Sequence, residues 1–461
     1  MRRLIRAGFI LSGAIFTFAY FHALQAQEDV SWPGLSFHPK DRVLILAPHP
    51  DDEAIGAVGV IQKALKAGAK VKVVLFTNGD NNELAFIIYE KRITFKQKEF
   101  IHMGQVRRAE SLAAMNSLGL SRDDVICLGY PDFGTLEIFT KYWGDTKPFK
   151  SMFVRKTNVP YADALSPNAP FVGESILNDL KKVLLDFKPT KILVSHPADH
   201  NRDHQALYLF LQVALWELKT QIHKPGIFPY LIHVVGWPEP RGFHPELALE
   251  PPTELNTPEI PWQKLELTQD EIKAKYDAVS YYKSQIEYDP PYLFTFARKN
   301  ELFGGYPEIS VKRQGAGDIL WRELETGEKS TLDNNSKPAG RINSLVYAIQ
   351  GQDLFIRLFL NRIIDREFGV SLFLIGYKEK EAFAKMPKIQ LSVGLGGLHV
   401  KEKKQALFIK NVQLVSQHKT LTFKVPLSVL GDPDYILSCA RSHAGGGLSL
   451  DETAWRILEL E

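Results

Sequence analysis

The sequence predicts an α/β protein: a Rossmann-like, mostly parallel sheet with helices on both faces, followed by a C-terminal all-β sandwich domain. Three observations carry this. The apolar runs 43–46, 71–76, 125–128 and 191–195 are short and β-rich and show little alternation, as strands covered on both faces do. Segments with helical apolar spacing lie between them. After about residue 305 the pattern changes to short β-forming segments, among them LVYAIQ, LFIRLFL and VSLFLIGY, separated by Gly, Asn, Asp, Lys or Pro.

Residues 1–26 read as an export signal. Arg2, Arg3 and Arg6 precede an uncharged apolar stretch from Phe9 to Phe21, and Leu24-Gln25-Ala26 fits a small-residue cleavage site. That stretch is shorter than the ~20 residues a membrane span needs, which favours a cleaved signal over an N-terminal anchor. Either way the protein is expected outside the cytoplasm: periplasmic, secreted or anchored on the extracytoplasmic side. Residues 42–47 form a strand. Residues 54–68 form a helix, with Ile55, Val58, Ile61 and Leu65 on one face and Gly68 as its stop. The strand 71–76 closes in Thr77-Asn78-Gly79-Asp80. Residues 83–104 have weak periodicity and read as a loop or short helix over the site. A helix over 107–118 and a strand over 125–128 follow. Residues 134–170, rich in aromatics and Pro, read as an irregular wall of the kind long loops supply to binding sites. Then come a helix at 176–187, a strand at 191–195, a helix at 205–218, a short strand at 233–236, a Pro-rich crossing at 238–261, a helix at 271–285 and an edge strand at 292–297.

The resulting division is a signal over 1–26, an α/β domain over 30–305, a linker over 306–335 and the β sandwich over 336–461. A chain of 461 residues suits two domains, and 45% hydrophobic with 24% charged residues permits a full core. A net charge of +3 gives no general attraction for nucleic acid. Cys127 and Cys439 are far apart and lack metal-ligand spacing, so both read as buried free thiols.

The chemistry concentrates in 41–59, DRVLILAPHPDDEAIGAVG, where a buried strand runs into His49, Pro50, Asp51, Asp52 and Glu53. An acidic first helical turn explains one or two of these acids. It does not explain a His and three acids crowded against a proline at a strand end. His49 and Asp52 can turn toward one point there, offering an imidazole nitrogen and a hard oxygen, a donor mix suited to zinc or another divalent first-row metal. The neighbouring acid is then free to act on water.

The strand followed by A-x-HPDDE, together with KILVSHPADHNRDHQAL at 191–207, resembles the metal-dependent N-deacetylases of the PIG-L/LmbE family. Intermediate matches lie at 77–80, 105–111, 128–132 and 281–285, and the resemblance runs from about 42 to 303. It implies His204 as the third metal ligand beside His49 and Asp52, with Zn2+ as the expected ion. Asp51 is implied as the general base. Arg107 is expected to face substrate, with Asp80 on the same rim, while Asp203 and Glu53 support the ligands from behind. Many family members carry a His at the position of Asn201, where it donates to the oxyanion. Here either Asn201 or the shifted His200 is left for that job. His196 reads as a structural hydrogen-bonder. The resemblance implies hydrolysis of an acetyl group from an N-acetylglucosamine-containing sugar, glycoconjugate or glycolipid. The alternatives are an amidase for another acyl-amine and a non-catalytic glycan binder. No nucleic acid and no obligate protein partner are expected, and the β domain is the part that could touch glycan.

Overall fold

The computed structural model describes residues 35–81, 87–89, 96–144, 146–319, 321, 340–445 and 447–461. The expected export signal, parts of 83–104 and half of the expected linker lie outside them. Residues Ser36–Glu461 form one compact unit.

The first sheet is built from β1 (Arg42–Ala47), β2 (Lys70–Thr77), β3 (Val125–Tyr130), β4 (Lys191–Ser195), β5 (Gly226–Tyr230), β6 (Trp262–Glu266) and β7 (Asn300–Gly304), in the order β3-β2-β1-β4-β5-β7-β6. β3 to β5 are all parallel, and β7 joins antiparallel to both β5 and β6. The strands lack alternation because helices cover both faces: β1, for example, is buried from Val43 to Ala47. The helices are α1 (Asp52–Lys66), α2 (Gln97–Ser117), α3 (Thr135–Lys141), α4 (Gly173–Phe187), α5 (Arg202–Glu217), α6 (Gln269–Val279), α7 (Lys283–Ile286) and α8 (Pro290–Phe294).

The strand order reverses between β1 and β4, which pair directly through Val43–Lys191, Leu44–Ile192 and Ile45–Leu193. A crevice opens at the carboxyl ends of strands at such a reversal. Both sequence motifs begin there, one after β1 and one after β4.

Two expected strands are not formed. Residues 233–236 leave the sheet, because the backbone N–H groups of Ile232 and His233 go to the buried Asp199 carboxylate at 3.0 and 2.9 Å instead of to a strand. The strand in that region is β5. Residues 292–297 are not an edge strand either: Pro290 and Pro291 start the helical turn α8, since proline fits the first turn of a helix, and the edge position is taken by β7. The aromatic stretch 134–170 is less irregular than expected, holding α3 and a bridge between Asn158 and Pro170.

The C-terminal region is strand-rich. One five-stranded and one eight-stranded sheet share a core that includes Tyr347, Ile356 and Phe423 from the first and Leu372, Leu391 and Leu458 from the second. Strands begin earlier than the expected boundary: Ile309–Val311 already pairs with Arg456–Leu460, so the start of the expected linker is sheet. The strand Phe368–Tyr377 is buried at every position. Its second face, with Trp455 and Cys439, packs on Phe139, Trp143 and Phe210 of the α/β part in one continuous apolar cluster. Lys388 is buried in this seam. Its ammonium donates to the carbonyls of Phe383 and Met386 at 2.5 and 2.8 Å and lies over the Trp143 ring.

Candidate active site

The loop after β1 is clamped to the end of β2, where the Thr77 hydroxyl and backbone N–H both donate to the Pro48 carbonyl at 3.0 Å. The chain then turns into α1 through Asp51, whose φ of 131° is a conformation side chains rarely adopt. The Asp52 carboxylate accepts the His49 backbone N–H at 2.8 Å, which folds the two side chains onto one another. The loop after β4 enters α5 through Asn201, whose side-chain oxygen caps the helix by accepting the Asp203 N–H at 2.9 Å. That cap sets the first turn of α5 and so the position of His204.

The structure brings His49, Asp52 and His204 together, with one donor atom of each within 4.8 Å of the others. Asp52 Oδ2 lies 3.2 Å from His49 Nδ1 and 3.1 Å from His204 Nε2. Each imidazole turns its other nitrogen to a buried carboxylate. His49 Nε2 faces Asp203 Oδ2 at 3.4 Å and Asp132 Oδ1 at 3.2 Å, and His204 Nδ1 faces Asp199 Oδ2 at 3.2 Å. Carboxylates behind imidazoles are how proteins orient metal-binding histidines. Asp203 is fixed in turn by the N–H groups of Phe133 and Thr135, at 2.7 and 3.1 Å, and by the Thr135 hydroxyl.

The donor set fits a divalent cation. Three buried groups converge, two nitrogens and an oxygen, as zinc and its neighbours prefer. His204 Nε2 is sealed from solvent and makes no hydrogen bond of good geometry among the described residues. The field also calls for positive charge. Burial opposes a charged His204, but Asp199 and Asp52 outweigh it and lift the ring to about 9. His49 is likewise held well above the usual range, burial being overcome by Asp132, Asp203 and Asp52.

Asp51 stands beside this cluster and lines a cavity of about 530 Å3 that opens over it. Its carboxylate pairs with Arg107 at 3.1 Å. Burial raises the Asp51 carboxyl to about 7 against the pull of that guanidinium, with Asp52 adding to the rise. Arg107 also donates to the carbonyls of Gly79 and Pro50, both at 3.0 Å. Gly79 has φ +62°, and a Cβ there would run into the Arg107 guanidinium, so this turn requires glycine.

Asn201 and His200 both line the cavity. Asn201 spends its oxygen on the helix cap, so the group it has left is an N–H donor. His200 Nε2 is buried without a hydrogen-bond partner among the described residues, and burial lowers its ring below the usual range. Asp80, expected on the substrate rim, is instead sealed beneath the Tyr161 hydroxyl, which donates to it at 2.6 Å, and is not part of the cavity wall. Glu53 is fully buried and anchors other elements, accepting from the hydroxyls of Ser111 and Tyr282 and from the Asp51 N–H. His196 stacks on Trp262 and accepts the Ala198 N–H at 3.1 Å, a structural role.

The sequence reading assigned no role to Asp132, Asp199 or His233. All three follow strand ends, after β3, β4 and β5, so the rule that sites gather at the carboxyl ends of parallel strands was the signal that could have found them. His233 was hidden by the false strand at 233–236.

Residues 44–215 match the family described as PIG-L, GlcNAc-PI de-N-acetylase. A curated relative, the 1D-myo-inositol 2-acetamido-2-deoxy-alpha-D-glucopyranoside deacetylase of Mycolicibacterium smegmatis (strain ATCC 700084 / mc(2)155), is 35% identical over 86 residues. That match covers 19% of this chain and 29% of the relative. Among solved structures, the A40926 pseudoaglycone deacetylase is 15% identical with a TM-score of 0.37, covering 57% of this chain and 96% of that one. The N,N'-diacetylchitobiose deacetylase from Pyrococcus horikoshii is 18% identical with a TM-score of 0.36, covering 63% and 91%. Whole-chain likeness at this level is no argument for function. The family match, however, spans both strand-end motifs and every residue of the buried His49–Asp52–His204 cluster, so the segment that carries the site is the segment similar to the PIG-L family.

Proposed function

We propose that the protein is a metal-dependent N-deacetylase that hydrolyses the acetamido group of an N-acetylglucosamine-containing sugar, glycoconjugate or glycolipid. The observation that carries this is the buried convergence of His49, Asp52 and His204, with Asp51 beside it at the floor of an open cavity. His49, Asp52 and His204 would hold the ion, with Zn2+ the best match to two imidazoles and a carboxylate. The ion supplies Lewis acidity toward the amide carbonyl and lowers the pKa of water.

The chain's own residues supply the rest. Asp51, raised toward neutrality by burial, accepts the proton of the attacking water and returns one to the departing nitrogen as the C–N bond breaks. Acetate and a free amine result, with atoms conserved. Arg107 holds Asp51 in place and keeps its ionised form accessible. The Asn201 amide N–H group meets the developing oxyanion, the task that a histidine performs in many relatives. Phe133, Val235 and Tyr288, exposed on the cavity wall, offer apolar faces to a sugar ring. The basic start and apolar stretch of residues 1–26 support export, and the strand-rich C-terminal region is the part available for glycan contact.

The test is acetate release from a panel of N-acetylated sugars and glycolipids by the metal-loaded full chain. Activity abolished by chelation and restored by Zn2+ is expected. A panel with no turnover at stoichiometric metal overturns the reading.

A further inference from the structure

Asp199 lies against two imidazoles at once. One is His204, whose Nδ1 lies 3.2 Å from Asp199 Oδ2. The other is His233, whose Nδ1 lies 3.2 Å from Asp199 Oδ1. The same carboxylate accepts the backbone N–H groups of Asn201, Ile232 and His233 at 2.9, 3.0 and 2.9 Å. A fully buried carboxylate ringed by so many donors is an acceptor only, so the hydrogen between it and His233 sits on Nδ1. In the neutral ring that tautomer presents the Nε2 lone pair on the side away from Asp199. The His233 side chain is 34% exposed, lines the active-site cavity, and its ring centroid is 4.5 Å from that of His204. A hydrogen-bond acceptor is thereby fixed at the edge of the metal-binding cluster, where the oxyanion side offers the Asn201 donor.

We propose that His233, positioned by Asp199, accepts a hydrogen bond from the N–H of the scissile amide and so makes the site selective for amides that carry an N–H. This rests on the N-deacetylase reading and deepens it. The amide is read at both ends: its oxygen by the cluster and Asn201, its N–H by His233. Substrates without that hydrogen, such as esters and N-alkylated amides, leave the His233 lone pair facing an apolar group or another acceptor. One unmade hydrogen bond of this kind corresponds to roughly 10-fold in affinity.

The experiment compares acetohydroxamate with N-methylacetohydroxamate as inhibitors or titrants of the Zn2+-loaded full chain, with metal content measured on every variant. Both probes offer the same chelating oxygens, and only the first carries an N–H. The parent protein is expected to favour acetohydroxamate by about 10-fold. His233→Phe is expected to keep its metal and lose the preference, while His233→Gln, whose amide oxygen is an acceptor, keeps it. Equal binding of both probes by the parent, an undiminished preference in His233→Phe, or loss of metal in His233→Phe each overturns the proposal. Acetate release from N-acetyl sugars is measured separately: its absence overturns the deacetylase reading, while the probe comparison still decides His233.

Discussion

Asp51 and Asp52 are neighbours in sequence with different surroundings, and that difference is testable. Asp52 faces both imidazoles and accepts a backbone N–H, whereas Asp51 faces Arg107 and the cavity. Asp52→Asn is expected to lose bound metal. Asp51→Asn is expected to keep it and to lose a factor of roughly 10²–10⁴ in deacetylation rate, the usual contribution of a positioned general base. Metal content and rate measured side by side decide it, and loss of metal from Asp51→Asn with retention in Asp52→Asn would reverse the assignment. His196 gives a pH prediction. Burial, with Arg456 adding, drives its ring down to about 3 from an ordinary 6.5, so the folded protein keeps it neutral where the unfolded chain takes up a proton. Its contribution to stability is complete above about 6.5 and is lost as pH falls through that window toward 3, by up to about 1.4 kcal/mol per pH unit. His196→Asn, which keeps an acceptor for the Ala198 N–H, is expected to lose stability less steeply in urea titrations between pH 6.5 and 4. A slope equal to the parent's would remove His196 from the account.

At the scale of elements, α1 carries the first motif, and its alignment depends on a buried pair from distant segments. Glu301 on β7 accepts the N–H groups of Gly59 and Val60 at 2.7 and 3.0 Å, and its charge is met by Lys275 of α6 at 2.7 Å. Both side chains are sealed from water. Removing one partner of such a pair leaves an uncompensated buried charge, at a cost of about 3–5 kcal/mol. Lys275→Met is therefore expected to lower the unfolding free energy by that order in denaturant titration. A change under about 1 kcal/mol would mean that the helix N–H groups alone suffice for Glu301. The existence of β1 to β4 and of α1, α4 and α5 was legible in the sequence, because apolar runs bounded by Gly and Asp-rich turns and helical spacings are local signals. The false strands at 233–236 and 292–297 failed for tertiary and turn reasons: a buried carboxylate captured the first segment's N–H groups, and tandem prolines began a helix in the second.

At the scale of the whole molecule, the expected separation into an α/β domain, a linker and an independent sandwich meets a continuous core. Phe139, Trp143 and Phe210 on one side and Phe373, Phe383 and Trp455 on the other belong to a single apolar cluster. A chain ending near residue 305 would expose that face, so it is expected to be insoluble or molten where the full chain is folded. Soluble, metal-binding truncated protein would show instead that the α/β part stands alone. The sequence alone was enough for the fold class and for the two motifs whose residues His49, Asp52 and His204 the structure brings together. A strand running into HPDDE and a second strand leading to an Asp-His pair are each local patterns, and strand order 3-2-1-4-5 brings two such patterns side by side. It was not enough for Asp132, Asp199 and His233, for the sealing of Asp80 under Tyr161, or for the seam between the two halves. Each of those depends on groups far apart in the chain choosing one another, and no local periodicity records which buried carboxylate a given imidazole, N–H or hydroxyl will find.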